Sequence, residues 1–212
     1  MTDEPTMSAF VEALGSDAPT PGGGAASALV GALAAALAEM VARFTVGRKR
    51  YAAVETEARS ILQRAEAARV ALLALVAEDE RAFGVVSAAY QRPRESEEDK
   101  RARDAAIQVA LLVAMRPPQE ALRVACEVVA LAHEIATIGN ATVLSDAACA
   151  ATLGEAAARS AAMNVLANVA LLRDEEARET AMIASRQALP EAARLRDETL
   201  AIVYQRMGVA GL

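Results

Sequence analysis

Pro19-Thr20-Pro21-Gly22-Gly23-Gly24-Ala25-Ala26-Ser27-Ala28-Leu29-Val30-Gly31-Ala32-Leu33-Ala34-Ala35-Ala36-Leu37-Ala38 is the stretch on which the fold turns. Its opening is the most loop-like segment of the chain, and its remainder is built from the residue that loses least entropy in a helix. The reading is a small-residue helix from about Gly24 to Val46, with Ser27, Gly31 and Ala35 repeating at i+4. That spacing leaves a shallow stripe on which another helix backbone can approach closely. No charge occurs from Ala18 to Ala38, enough residues to span a bilayer, but after the prolines and glycines only about fifteen remain for a helix before Glu39. Most of those are Ala, with few of the Leu, Ile and Phe that drive insertion. The expectation is therefore a helix buried on all sides in a bundle, outside any membrane.

The rest of the composition agrees. Alanine makes up roughly a quarter of the 212 residues, aromatics are 3%, and there is no Trp. Runs of β-branched residues bounded by turn signals are hard to find, which excludes an all-β protein and disfavours a parallel α/β sheet. The length suits one domain, taken as 1–212. A net charge of −6 excludes nucleic-acid binding by bulk electrostatics, so an anionic ligand must meet a local cluster of cations. Cys126 and Cys149 lack metal-ligand spacing, and His133 is the single histidine, so no metal site is expected. Two buried thiols in a reducing cytoplasm are the simpler reading. The acidic start, Met1-Thr2-Asp3-Glu4-Pro5, lacks the basic and apolar regions of a signal peptide, which points to a cytoplasmic protein.

Periodicity gives the remaining helices. A short one covers Met7–Leu14, ended by Gly15, and a long central one runs from about Tyr51 to Tyr90, stopped by Pro93. Ser96-x-x-Asp99 is a capping pattern for a helix reaching about Met115, where Pro117-Pro118 should break it. A further helix carries Leu122, Cys126, Val129, His133 and Ala136 on one face, with Gly139 as its C-cap. Ser145 can cap the next, to about Arg173, and the last 38 residues form one or two helices with a break or kink at Pro190. The sum is an all-α bundle of seven or eight helices.

Polar residues on apolar seams mark the candidates for chemistry. The long helix shows Ile61, Ala65, Ala68, Leu72, Leu75, then Asp79, then Ala82, Val86 and Tyr90 at 3–4 spacing. A charge there costs free energy unless paired, so Asp79 is either a capping or Arg-paired carboxylate or a general acid/base tuned by burial. Asp146 beside Ser145 is what a helix dipole favours in a first turn. Asn164 and Asn168, about 6 Å apart along one helix, could share a ligand or bond a neighbouring helix. Asp146 and Asn164 lie on one face but about 27 Å apart, so a small substrate cannot bridge them within one helix. Arg48-Lys49-Arg50 before Tyr51 is a solvated corner or a seat for a carboxylate. Pro21-Gly22-Gly23-Gly24 has no Lys-Ser/Thr after it and is no Walker motif; it offers bare amides at a helix N-terminus, or permits a close helix crossing. His133 reads as a core histidine.

Taken in order, Pro19-Thr20-Pro21-Gly22-Gly23-Gly24, Glu39-Met40-Val41-Ala42, Thr45 to Tyr51, Asp79-x-x-Ala82-Phe83, Gly139-Asn140, Ser145-Asp146, Asn164-Val165-x-x-Asn168 and Asp174 resemble the cyclodeaminase/cyclohydrolase family. That family includes the deaminase domain of formiminotransferase-cyclodeaminase and free-standing methenyltetrahydrofolate cyclohydrolases. The resemblance covers about residues 7–205. It implies an all-helical homodimer acting on tetrahydrofolate one-carbon adducts, with no cofactor beyond the folate itself. Both family reactions pass through a tetrahedral carbon between N5 and N10 and need a proton acceptor and a proton donor. The roles it implies are Asp79 as acid/base, with Asp146 as the alternative. Asn140, Asn164 and Asn168 would contact the pterin or orient the amidine, and Pro21 with the three glycines would lie against the flat ring. Arg48, Lys49 and Arg50 would meet the tail carboxylates, and Tyr51 and Ser145 complete the substrate-contacting set. The chain departs from the family pattern at Arg116-Pro117-Pro118-Gln119 and at Pro190. A non-catalytic helical protein that binds folate or a partner chain is the competing class.

Overall fold

The computed structural model describes residues 6–210, and among these it is all helix with no strand. The order is α1 (Met7–Leu14), α2 (Gly23–Thr45), a 3₁₀ segment (Lys49–Val54), α3 (Glu55–Tyr90), α4 (Glu97–Ile138), a short 3₁₀ turn (Ala141–Val143), α5 (Leu144–Val169) and α6 (Glu175–Met207). Six α-helices thus replace the expected seven or eight. The difference lies at the prolines. Pro117 and Pro118 sit inside α4, and Pro190 sits inside α6. Proline removes one intrahelical bond and crowds the carbonyl four residues back, a local cost that buried packing can override. Here both Pro117 and Pro118 are buried, and the Ala114 carbonyl that Pro118 cannot serve accepts from Asn168 Nδ2 at 3.5 Å.

Other boundaries follow local chemistry. Ser96 and Asp99 form the expected reciprocal capping box. Ser145 does not cap α5, which begins one residue earlier; the cap-like bond there belongs to Asn140, whose side chain accepts from Thr142 N–H at 3.0 Å. The long α3 starts at Glu55 rather than Tyr51, and it is not the centre of the bundle. That place falls to α2 and α5, with 13 of 23 and 12 of 26 residues buried, against 8 of 36 in α3.

Small residues make that centre possible. A Cβ on Gly31 would stand 3.2 Å from both δ-methyls of Leu72 and 3.5 Å from the Ala157 Cβ. The Ser27–Gly31–Ala35 stripe is therefore where α3 and α5 close on α2. By length and composition α2 could cross a membrane, yet 61% of its apolar window is buried inside the protein. Two buried acids within the bundle escaped the sequence reading. Glu39 accepts from Arg43 and from Arg69 Nε (2.7 Å), and Glu155 is paired with Arg159 and Arg196. His133 is not a core residue: it sits half-exposed between α4 and α6, 3.5 Å from Thr199 Oγ1. Of the thiols, Cys126 is half-buried, and burial pushes it up to about 11; Cys149 is exposed, against expectation.

Candidate active site

The α2 and α3 helices run antiparallel, which sets Asp79, six residues past the middle of α3, against the first turn of α2. The contact is close. A Cβ on Gly24 would lie 2.1 Å from Asp79 Oδ1 and 2.4 Å from Cγ, so only glycine leaves room for the carboxylate. The Ala25 backbone N–H lies close enough to the Asp79 carboxylate to favour its charged form. Burial raises the Asp79 pKa above the ordinary aspartate value, the Ala25 amide opposes that, and the neighbouring Glu80 charge adds to it. Burial wins. Asp79 is thus a half-buried, partly desolvated carboxyl at the positive end of a helix dipole.

Across the glycines stands α5. A Cβ on Gly23 would be 3.3 Å from both polar atoms of the Asn164 amide. Asn164 Nδ2 donates to the Ser160 carbonyl at 2.9 Å, and Asn168 Nδ2 donates to the Asn164 carbonyl at 3.0 Å. These groups edge an open cleft of about 540 Å³ whose walls are Pro19, Thr20 and Gly22–Gly24 on one side and α3, α4 and α5 on the others. That volume is in the range of small-ligand sites. Phe83, Val86, Tyr90, Leu111 and Leu171 make most of it apolar, and Ser87 adds a hydroxyl. Phe83, Ser87 and Tyr90 were not singled out as site residues. Their signal was present, since they follow Asp79 at i+4, i+8 and i+11 and so share its helical face.

The sequence candidates divide between two ends of the bundle. Asp79, Gly22, Gly23, Gly24, Asn164 and Asn168 line the cleft, and Pro21 lies between lining residues of the same loop. Arg48, Lys49, Arg50, Tyr51, Asn140, Ser145 and Asp146 gather at the far end of α2, about 35 Å away by its 23 residues at 1.5 Å each. Asn140 is fully engaged there. Its N–H donates to Thr45 Oγ1 (2.9 Å), its Nδ2 to the Phe44 carbonyl (2.9 Å), and its Oδ1 accepts from Thr142. Tyr51 Oη accepts from Ala141 N–H at 3.0 Å and lies 3.4 Å from Asn140 Oδ1. The Arg50 guanidinium lies 5.8 Å from the Tyr51 ring centroid. Arg48 and Lys49 are exposed and, among the described residues, form no ion pair; Ser145 is exposed and Asp146 half-buried. One chain therefore does not bring Asp146 or the basic run to the cleft. Among the described residues no three His, Cys, Asp or Glu side chains converge as metal ligands.

The sequence profile described as formiminotransferase-cyclodeaminase matches residues 6–187. A methenyltetrahydrofolate cyclohydrolase from Methylorubrum extorquens is 39% identical over 207 residues, covering 98% of this chain and all of that protein. A formimidoyltransferase-cyclodeaminase from Rattus norvegicus is 33% identical over 170 residues, 80% of this chain but 31% of the longer protein. The crystal structure of a formiminotetrahydrofolate cyclodeaminase from Thermotoga maritima superposes with a TM-score of 0.86 at 31% identity, covering 97% of this chain and 98% of that one. By fold and by sequence over nearly its whole length, the chain belongs to the formiminotransferase-cyclodeaminase family.

Proposed function

We propose that this chain hydrolyses 5,10-methenyltetrahydrofolate to 10-formyltetrahydrofolate at the Asp79 cleft. The observation that carries the reading is a desolvated carboxyl held against a helix N-terminus, beside two asparagine amides, in a mostly apolar cleft of small-ligand size. Water adds to the methenyl carbon while Asp79 takes one of its protons. The carboxylic acid so formed protonates N5 as the carbon–N5 bond breaks. The remaining hydroxyl proton leaves for solvent, and the formyl group stays on N10. Every step is a proton transfer or a C–O or C–N bond change, so the reaction asks for no redox or metal cofactor. Asn164 and Asn168 hydrogen-bond the folate, and the apolar walls hold its rings.

Full-length similarity to a cyclohydrolase favours hydrolysis. The likeness to a cyclodeaminase structure supports a second reading, in which N10 attacks the formimino carbon on N5 and ammonia leaves. Asp79 would serve both. Loss of the near-ultraviolet absorbance of the methenyl compound, dependent on the protein, tests the first. Growth of that absorbance with ammonia release from 5-formiminotetrahydrofolate identifies the second. Silence in both assays, with tetrahydrofolate still raising the melting temperature, would mean a folate binder without chemistry.

We also propose that the whole chain acts as one catalytic unit, as a cytoplasmic homodimer, without nucleic-acid or membrane partners. Support comes from the separation of the two polar ends. A second copy running antiparallel would bring Arg48, Lys49 and Arg50 to the mouth of the first copy's cleft, where a folate tail carries its carboxylates. Leu33, Val70 and Leu73 remain exposed on the α2–α3 pair and suit such a seam. Light scattering at twice the chain mass, together with a raised KM for polyglutamylated substrate in Lys49→Ala, is the expected result.

A further inference from the structure

We infer that Pro118 is a positioning residue for the cleft, acting through Asn168. In an uninterrupted α-helix the N–H of residue 118 would donate to the carbonyl of residue 114. Proline has no such hydrogen, and α4 nevertheless continues through it. The carbonyl of Ala114, a residue that lines the cleft, is thereby left for another donor, and Asn168 Nδ2 supplies one at 3.5 Å. The second hydrogen of the same amide goes to the Asn164 carbonyl at 3.0 Å. Two carbonyl oxygens thus fix the rotation of the Asn168 amide, because a flip would set Oδ1 against both of them. Both donors are consumed. Among the described residues no donor meets Asn168 Oδ1, so the side chain presents the cleft with a pure acceptor of set direction. Its complement is an N–H donor on the ligand. On the folate reading, on which this step rests, that donor is an N–H of the pterin ring, and an oxygen-bearing edge would be rejected.

The chain holds three asparagines, Asn140, Asn164 and Asn168, which makes the test clean. Asparagine-selective ¹⁵N labelling yields three side-chain amide pairs, with Asn168 assigned by its loss in Asn168→Ala. In the unmodified protein both Asn168 protons should exchange slowly with solvent; in Pro118→Ala, whose restored N–H reclaims the Ala114 carbonyl, one of them should lose protection. Pro118→Ala should also raise KM about 3- to 10-fold with little change in kcat and with a melting temperature equal or higher. In an Asn168→Ala background the same substitution should do nothing further. Fast exchange of both protons in the unmodified protein, an unchanged KM in Pro118→Ala, or full additivity with Asn168→Ala would each overturn the proposal. Inactivity of the unmodified protein on both folates would overturn the folate reading alone, since the exchange signature needs no substrate.

Discussion

The Asp79 carboxylate occupies the space where any residue but glycine at position 24 would place its β-carbon, with Oδ1 2.1 Å from that point. Gly24→Ala must therefore push the carboxylate aside, away from the first turn of α2. Displacement of a catalytic group by an ångström is worth on the order of 10² in rate. Alanine in a first helical turn carries no propensity cost, so the fold should persist. The expected result is a fall of about 10²-fold in kcat with a helical circular-dichroism spectrum retained. A fully active Gly24→Ala protein would mean that Asp79 does no chemistry in this position.

Asp79→Asn separates activity from stability. The amide keeps the shape of the side chain but cannot take a proton, so turnover should drop about 10²–10⁴-fold. Stability should move the other way. Burial raises the folded pKa of Asp79, so the folded state binds its proton more tightly than the unfolded chain does. The favourable contribution is present below the unfolded value of 3.8 and is lost as pH rises through the folded value. Melting temperatures of the unmodified protein and Asp79→Asn should diverge across that interval, with the variant gaining as pH rises. Parallel curves would show that burial leaves the carboxyl unperturbed.

How far the sequence could be read depended on the range of each interaction. Helix α2, the capping box at Ser96 and the stop after Tyr90 are local and were legible. Asp79 was legible too, because a charge on an apolar seam is anomalous within its own helix. Pro117-Pro118 was misread as a break because its compensation comes from Asn168, 50 residues downstream, and from packing on neighbouring helices. The division of the candidates into two ends was half visible: the rise per residue separates Asp146 from Asn164, but only antiparallel pairing of α2 and α3 shows which end Asp79 joins. Glu39 looked like the end of an apolar run; its Arg69 partner lies 30 residues away on another helix.

Asn140 lies in a clamp that ties the end of α2 to the turn before α5. Asn140→Ala removes the bonds to the Phe44 carbonyl and from Thr142 while leaving Thr45 Oγ1 to the main chain. The expected cost is about 0.5–1.5 kcal/mol in urea denaturation, the size of one or two solvent-exposed hydrogen bonds. The kcat per folded molecule should hold, because Asn140 lies at the end of α2 opposite Gly24. A loss of kcat at full stability would instead place this clamp in contact with substrate.

Glu39 supplies the acid-sensitive element of the bundle. Burial works against its ionisation, but hydrogen bonds from Arg69 and Arg43 outweigh it and hold the carboxyl below the ordinary value of 4.5. The linkage therefore has the opposite sign to that of Asp79. Its stabilisation is present above pH 4.5 and is lost as pH falls through the folded pKa. Glu39→Gln keeps the shape and removes the charge, leaving Arg69 without its carboxylate partner. Because Arg43 is half-exposed and screened by solvent, the cost at neutral pH should be about 1–2 kcal/mol, below that of a fully buried pair. Urea midpoints should differ at neutral pH and converge in acid as Glu39 in the unmodified protein takes up its proton. Because Glu39 lies four turns of α2 from Gly24, kcat should not follow the stability; a parallel loss of activity would show that the ion pair sets the position of the α2 N-terminus and of the carboxylate held there.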